Sequence, residues 1–164
     1  MREASDKSAF RRMLKERLAF LRSDSVAWER SEFALSANLK TFLEGLLGGK
    51  NSPFILGVFA PLGDEPQWPQ AFGGLDGKWW VEHACGQAFP RHASDGSMGF
   101  HRASLSELEV DRTLGPAIKV PPAGAPLVVP QAILVPALGL GPEGERMGRG
   151  KGFYDRYLGS YRGL

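Results

Sequence analysis

The chain has 164 residues, of which 43% are hydrophobic and 23% charged, close to the usage of ordinary globular proteins. This composition excludes a disordered tail and a coiled coil, and the length predicts a single domain spanning residues 1–164. No apolar run approaches the roughly 18 residues that a membrane span needs, and the N-terminus lacks the apolar core of a signal peptide. We therefore expect a cytoplasmic protein with no membrane partner. The single Cys85 excludes an internal disulfide.

The charge is unevenly distributed along the chain, although its formal total is only +2. Residues 1–30 carry eight Lys or Arg against five Asp or Glu, residues 143–164 carry five against three, and the middle is acidic. Two basic ends that meet in the fold would form one local anion site. This pattern favours a small phosphorylated ligand over nucleic acid, which would need a broad basic surface.

The first 47 residues carry helical patterns. Phe10, Leu14, Leu18 and Leu21 follow one another at spacings of four, four and three, which predicts an amphipathic helix over 6–22. A second helix is predicted over 25–47, with Gly48-Gly49 as its stop signal.

A sheet is predicted to begin after the helices. The run PFILGVFAP at 53–61 is typical of a buried strand. The turn that follows it, 61–66, places Asp64 and Glu65 at the carboxyl edge of that strand, where open α/β sheets bind ligands. From the residues alone, Glu65 is either a hydrogen-bond acceptor for a ligand or a solvated turn residue.

The second half of the chain completes an α/β pattern. Residues 86–102 predict two strands joined through Asp95-Gly96, 115–130 predicts a loop, and 131–140 predicts the most apolar strand. A glycine-rich segment and a short helix over 153–158 follow. The prediction is a three-layer, Rossmann-like α/β fold: a mainly parallel sheet with helices on both faces.

The glycine-rich segment is a candidate phosphate site. Gly148, Gly150 and Gly152 alternate with Arg149 and Lys151 just before the last helix. Glycines allow close approach of the backbone to an anion, and the cations and the helix start favour negative charge. The spacing matches neither a P-loop nor the dinucleotide fingerprint. Anion binding and a merely flexible basic loop both remain open on spacing alone.

Other polar and aromatic residues have more than one interpretation. Asp155, in the first turn after the glycines, is either a Mg²⁺ ligand beside bound phosphates or an acid that complements the helix dipole. The three histidines are spaced by nine residues, which does not suit a metal cluster. Trp68, Trp79 and Trp80 are interpreted as packing residues.

Several motifs together resemble one family. The segment from Gly144 to Leu158, GERMGRGKGFYDRYL, preceded by ILVPALGL, resembles the signature of 5-formyltetrahydrofolate cyclo-ligase, also called methenyltetrahydrofolate synthetase. KSAFR at 7–11, PLGDE at 61–65 and AFPR at 88–91 resemble further family elements in the same order. The resemblance therefore spans nearly the whole chain.

The resemblance implies an ATP-dependent closure of 5-formyltetrahydrofolate to 5,10-methenyltetrahydrofolate with release of ADP and phosphate, and Mg²⁺ as the cofactor. Glu65, Phe153 and Tyr154 are the implied substrate contacts, and Asp155 the implied metal ligand. Arg149 and Lys151 are the implied catalytic cations. The implied ATP contacts are Lys7, Arg11, Arg146, Gly148, Arg149, Gly150, Lys151, Gly152, Phe153 and Tyr154.

The C-terminus of this sequence differs from the pattern of the family. Members of the family continue past the glycine motif with a further strand and an acidic residue that completes the metal site, whereas this sequence ends at Leu164. A shortened C-terminus is therefore expected, and the alternative function is a non-catalytic nucleotide- or folate-binding paralogue. We expect a monomer whose partners are ATP and 5-formyltetrahydrofolate.

Overall fold

The computed structural model describes residues 2–48, 53–74, 77–115 and 117–160. The helices are α1 (Arg2–Ser23), α2 (Ser25–Leu47), α3 (Lys78–Glu82) and α4 (Phe153–Ser160), with 3-10 turns at Trp68–Phe72 and Leu105–Glu107. The strands are β1 (Phe54–Gly57), β2 (Cys85–His92), β3 (Met98–Arg102), β4 (Glu109–Val110), β5 (Lys119–Val120), β6 (Leu127–Val128), β7 (Ala132–Ile133), β8 (Gly139–Leu140) and β9 (Arg146–Met147).

The chain divides into two compact units. The first consists of Met1–Ser31 and Pro136–Gly152, and the second of Glu32–Val135 and Phe153–Leu164. The first unit thus contains α1 and the β8–β9 ribbon, and the second contains the main sheet and α4.

Both long helices form where the apolar spacing predicts them. They are separated at Asp24, whose Oδ1 accepts the backbone N–H of Ala27 at 3.0 Å, an N-cap that starts α2. Helix α2 ends at Leu47, at the predicted glycine stop, of which Gly49 lies outside the described residues. The α1 stripe is only partly covered, since Phe10 is 46% exposed.

The main sheet has five strands in the order β6-β3-β2-β1-β7. Strand β1 runs parallel to β2 and β7, whereas β3 is antiparallel to β2 and β6. Four of the five strands therefore point the same way, which confirms the predicted mainly parallel sheet. The exception is β3, which returns antiparallel to β2 through the predicted hairpin. In the turn of this hairpin, Gly96 has φ +81° and Asp95 Oδ1 accepts the Ser97 N–H at 2.8 Å.

Helices cover both faces of this sheet. On one face Leu56 and Phe89 are buried in a cluster with the end of α2, the 3-10 turn at Trp68–Phe72 and α3. On the other face Phe100 packs against Tyr157 of α4, with ring centroids 5.2 Å apart. The predicted three-layer arrangement is confirmed. Trp68, Trp79 and Trp80 are 2%, 6% and 5% exposed, so their interpretation as packing residues is confirmed as well.

Two predictions for the second half are wrong. The predicted strand over 131–140 forms sheet pairs only at Ala132 and Ile133, while Gly139 and Leu140 pair antiparallel with Met147 and Arg146 in a separate ribbon. Pro136 interrupts the segment, because proline donates no backbone hydrogen bond.

The predicted loop over 115–130 contains β5 and β6. Strand β6 pairs with β3 at one edge of the sheet. Prolines flank both short strands, and at a sheet edge a proline removes no ladder bond that the sheet requires.

Candidate functional site

In the first unit, the N-terminal helix contacts the glycine loop. Arg11 Nε donates a hydrogen bond to the Gly148 carbonyl oxygen at 3.1 Å. A Cβ at Gly150 would lie 3.5 Å from the Arg11 guanidinium carbon, so the guanidinium packs across the loop. The expected meeting of the two basic ends is therefore confirmed at Arg11.

Two further residues lie on the same face of α1 as Arg11, and one of them contacts the segment that contains the loop. Leu14, three residues after Arg11, packs against Gly139, where a Cβ would lie 3.1 Å from Leu14 Cδ1. Lys7 precedes Arg11 by four residues and therefore shares its helix face. Lys7 is exposed, which leaves its ammonium group in reach of solvent.

The start of the loop is held by Arg146. Its Nη1 donates to the Pro136 carbonyl oxygen at 2.9 Å, and a Cβ at Gly148 would lie 2.5 Å from the same nitrogen. A side chain at that position would therefore displace the guanidinium. Gly141 N–H donates to the Glu145 carbonyl oxygen at 2.7 Å and closes the turn of the ribbon that leads into the loop.

The loop has the backbone and the charge that an anion requires. Gly150 and Gly152 have φ of +101° and +69°, a region that favours glycine. Arg149, directly before Gly150, and Lys151, between the two glycines, are exposed. When successive residues alternate in backbone conformation, their N–H groups can point to one place. Together with two cations, such N–H groups can surround phosphate oxygens.

In the second unit, Glu65 folds back on its own turn. Its Oε2 accepts the Leu62 N–H at 3.0 Å, and the Gln67 amide donates to the carbonyl oxygens of Leu62 and Glu65 at 3.1 and 2.9 Å. The carboxylate is half-buried, so the turn holds it at a fixed place beyond the end of β1.

Helix α4 is fastened to the β2–β3 hairpin. The Phe153 ring lies 3.9 Å from the His92 ring, Tyr154 meets Phe100 edge-on, and Arg156 donates to the Gly96 carbonyl oxygen at 3.1 Å. Phe153 and Tyr154 are half-buried, whereas Asp155 is exposed in the first turn of the helix.

Two cavities of the second unit meet at the end of β2. One of about 470 Å³ is lined by Phe100 and Leu127 among others, and one of about 690 Å³ is lined by Asp111 and Phe153 among others. His92 lines both. Burial lowers the pKa of His92, with Asp111 opposing the shift and Arg156 adding to it.

The glycine loop and α4 lie in a segment that is similar to a known family. Residues 93–164 match the 5-formyltetrahydrofolate cyclo-ligase family. The sequence-based resemblance to the cyclo-ligase family is confirmed over that part of the chain, which includes the β3 strand, the glycine loop and α4.

A solved structure shows the same fold. The 5,10-methenyltetrahydrofolate synthetase from Mycoplasma pneumoniae superposes with a TM-score of 0.67 at 18% identity, covering 93% of this chain and 77% of its own. The α/β fold is thereby confirmed, whereas Lys7, Arg11 and Glu65 lie before the segment that matches the cyclo-ligase family. No protein of curated function matches the chain.

Further features of the described residues bear on membrane contact, metal binding and thiol chemistry. None of the described helices is long and apolar enough to cross a membrane. Among residues 2–48, 53–74, 77–115 and 117–160, no three His, Cys, Asp or Glu side chains form a metal-binding group. Cys85 is buried, and burial raises the pKa of its thiol to about 11, which keeps it protonated.

His92 lines both cavities, although the sequence patterns give it no role as a site residue. The spacing of the histidines bears only on metal binding, for which it is unsuitable. The sequence does hold one signal, since His92 follows the AFPR strand at the carboxyl end, the edge at which α/β sheets bind ligands.

Proposed function

We propose that the protein catalyses the ATP-dependent cyclisation of 5-formyltetrahydrofolate to 5,10-methenyltetrahydrofolate, with release of ADP and phosphate. The observation that carries the proposal is the contact of Arg11 with Gly148 and Gly150 inside a motif that matches the cyclo-ligase family. It gives the glycine loop a second source of positive charge, from a distant part of the sequence.

ATP is assigned to the first unit and the residues that directly follow it. Gly148, Gly150 and Gly152 would present backbone N–H groups to the phosphates, with Lys7, Arg11 and Arg146 adding charge. Arg149 and Lys151 would neutralise the transferring phosphoryl group, which carries its charge on peripheral oxygens. The resemblance to the family also implies Phe153 and Tyr154, the two residues after Gly152 in the sequence, as ATP contacts.

The donor set is compatible with Mg²⁺ bound together with ATP. Mg²⁺ usually takes one or two protein carboxylates and fills its remaining positions with phosphate oxygens and water. Asp155 offers one exposed carboxylate in the first turn after the loop. When bound, the ion would neutralise phosphate charge.

The folate is assigned to residues of the second unit. Glu65 would accept hydrogen bonds from the amine and amide edge of the pterin ring, and its turn already orients the carboxylate. Phe153 and Tyr154 would offer aromatic surface beside the substrate. Both side chains are fixed by the packing of α4 on the hairpin.

The chemistry needs positioning and charge neutralisation rather than a protein nucleophile. Transfer of the γ-phosphoryl group to the formyl oxygen releases ADP and makes that oxygen a leaving group. The N10 amine then attacks the formyl carbon, its proton passes to solvent, and phosphate departs with the C–O bonding pair. In such reactions, correct positioning of the reacting groups can supply much of the rate.

Two calorimetric titrations of the same protein, one with Mg-ATP and one with 5-formyltetrahydrofolate, test the assignment. The proposal predicts saturable binding of both. A protein that binds neither ligand contradicts it, whereas binding of both without formation of the methenyl product would identify the non-catalytic paralogue.

A further inference from the structure

His92 occupies an unusual position at the end of β2. Its Nδ1 is buried and has no hydrogen-bond partner among the side-chain and backbone groups that the structure describes. The ring is fixed by Phe153, with centroids 3.9 Å apart. A buried polar atom without a partner is rare in folded proteins and calls for an explanation.

The other two histidines behave differently. His83 Nδ1 lies 2.8 Å from the Trp79 carbonyl oxygen, and His101 Nδ1 lies 2.7 Å from the Ala125 carbonyl oxygen. Each of these rings therefore has a backbone partner that fixes its role. Of the three histidines, His92 is the one whose Nδ1 has no partner among the described residues.

Both cavities of the second unit include His92 in their walls. A ligand that fills either cavity therefore meets the imidazole. Arg91, the neighbouring residue in both walls, is already engaged, since its Nη1 donates to the Pro121 carbonyl oxygen. The remaining N–H groups of Arg91 can only donate, whereas His92 Nδ1, which has no partner among the described residues, can also accept a hydrogen bond when the proton is on Nε2.

The surroundings disfavour the charged form of the imidazole. Burial is the largest influence on the His92 pKa and lowers it, Arg156 of α4 lowers it further, and Asp111 raises it. A neutral imidazole has one donor nitrogen and one acceptor nitrogen. It therefore suits a neutral polar group, such as an amide or amine edge, better than a carboxylate or a phosphate.

We propose that His92 is a positioning residue that hydrogen-bonds a neutral polar group of the folate through Nδ1, at the carboxyl end of β2. The choice of folate as the occupant rests on the function proposed above. A pterin ring carries amide and amine groups on its edge, and Phe153 beside His92 supplies an aromatic wall for it. His92 would thus select and orient the substrate without taking part in phosphoryl transfer.

Three substitutions separate the possible roles of the ring. His92→Phe keeps the aromatic ring and removes both nitrogens, His92→Asn keeps a hydrogen-bonding group near the Nδ1 position, and His92→Gln places one near Nε2. His83→Phe is the matched control, because its Nδ1 already has the Trp79 partner.

The measurements are calorimetric titrations with 5-formyltetrahydrofolate and with Mg-ATP, together with thermal unfolding of the free proteins. We expect His92→Phe to weaken folate binding about tenfold, to leave Mg-ATP binding unchanged, and to unfold at the same or a higher temperature, because an unpaired buried nitrogen is removed. His92→Asn should restore most of the folate affinity, and His92→Gln should not. His83→Phe should lower the unfolding temperature with folate binding unchanged.

The outcomes distinguish failure of this inference from failure of the proposed function. If the wild type binds 5-formyltetrahydrofolate and His92→Phe binds it equally well, His92 has no role in positioning the substrate. Equal loss in the Phe and Asn variants overturns the hydrogen bond through Nδ1. A wild type that does not bind the folate overturns the proposed function, and the assignment of His92 to that substrate with it.

Discussion

Lys151 is exposed in the glycine loop between two residues of positive φ, Gly150 and Gly152. Replacing it with alanine should weaken Mg-ATP binding roughly ten- to a hundredfold, since a charge-assisted hydrogen bond contributes about 1.5 to 3 kcal/mol. Folate binding should not change. Lys119→Ala, which removes an exposed lysine from β5, is the control, and calorimetry measures all three proteins. Equal losses for both ligands would show that the loop had collapsed.

Replacement of Glu65 should have the opposite effect to replacement of Lys151: it should weaken folate binding rather than Mg-ATP binding. Glu65→Gln keeps an oxygen that can accept the Leu62 N–H but removes the charge, so the turn should persist while folate binding weakens about tenfold. Asp64→Asn changes the neighbouring acid of the same turn and serves as the control. Unchanged folate affinity in the Glu65 variant, measured by the same titration, would remove Glu65 from the site.

The sequence predicted the glycine loop and Asp155 but not His92, and the difference is physical. Glycines that alternate with cations are a local feature, visible in the order of the residues. The burial of His92 and its contact with Phe153 depend on the register of β2 against β3 and on how α4 packs, which a local pattern does not contain.

At the scale of secondary structure, two glycines should respond in opposite ways to the same change. Gly45 lies in α2, and a Cβ at this position would have no atom within 4 Å, so Gly45→Ala should raise the free energy of unfolding by about 0.5 to 1 kcal/mol. A Cβ at Gly57 would lie 2.8 Å from Phe100 Cε1, a fully buried ring. Gly57→Ala should therefore lower the free energy of unfolding by about 1 to 3 kcal/mol.

Urea unfolding of the three proteins measures both effects in one experiment. The two variants differ from the wild type by one methyl group each, so side-chain chemistry is matched between them. A stable Gly57→Ala protein would mean that β1 and β3 pack less closely than the structure shows.

The elements themselves were predictable to different degrees. Helices α1 and α2 and the β2–β3 hairpin carry local signals, namely apolar spacing, a capping Asp24 and the Asp95-Gly96 turn. The short strands β6, β8 and β9 have two residues each, too few for a periodic pattern. The pairing of β6 is set by β3, which is distant in sequence, so the sequence predicts a loop over 115–130. The local pairing of β8 with β9 leaves no periodic signal in segments this short, so the sequence predicts a single strand over 131–140.

For the molecule as a whole, stability should fall as the pH is lowered. The pKa of His92 is lowered by burial, so the unfolded chain takes up a proton first as the pH drops below about 6.5. The free energy of unfolding therefore falls as the pH drops from neutral toward the folded-state pKa of His92. Urea unfolding at about pH 7 and about pH 5.5 should show this loss in the wild type and a smaller one in His92→Phe.

A second loss is expected at more acidic pH. Hydrogen bonds from Ser97, Ser104 and Thr113 lower the pKa values of Asp95, Glu107 and Asp111. Protonation of these carboxyl groups favours the unfolded chain, so this loss should be shared by the wild type and His92→Phe. A His92→Phe variant with the pH profile of the wild type throughout would contradict the contribution of His92.

The single domain, the monomeric state, the cytoplasmic location and the Mg²⁺ cofactor stay predictions. Light scattering after size-exclusion chromatography measures the mass of the protein in solution directly. It is informative here because Phe20, Phe33 and Phe42 are 75%, 77% and 65% exposed on the two long helices. A mass of one chain would support the expected monomer, and a mass of two would contradict it.

The most direct test of the central claim follows the reaction itself. The protein is mixed with 5-formyltetrahydrofolate, ATP and Mg²⁺, and the absorbance of 5,10-methenyltetrahydrofolate is recorded together with the ADP formed. We predict product and ADP in a one-to-one ratio, no product when ATP is left out, and a strongly reduced rate for Lys151→Ala but not for Lys119→Ala. Absence of methenyl product from a folded protein, or product that forms equally without ATP, would contradict the proposed function.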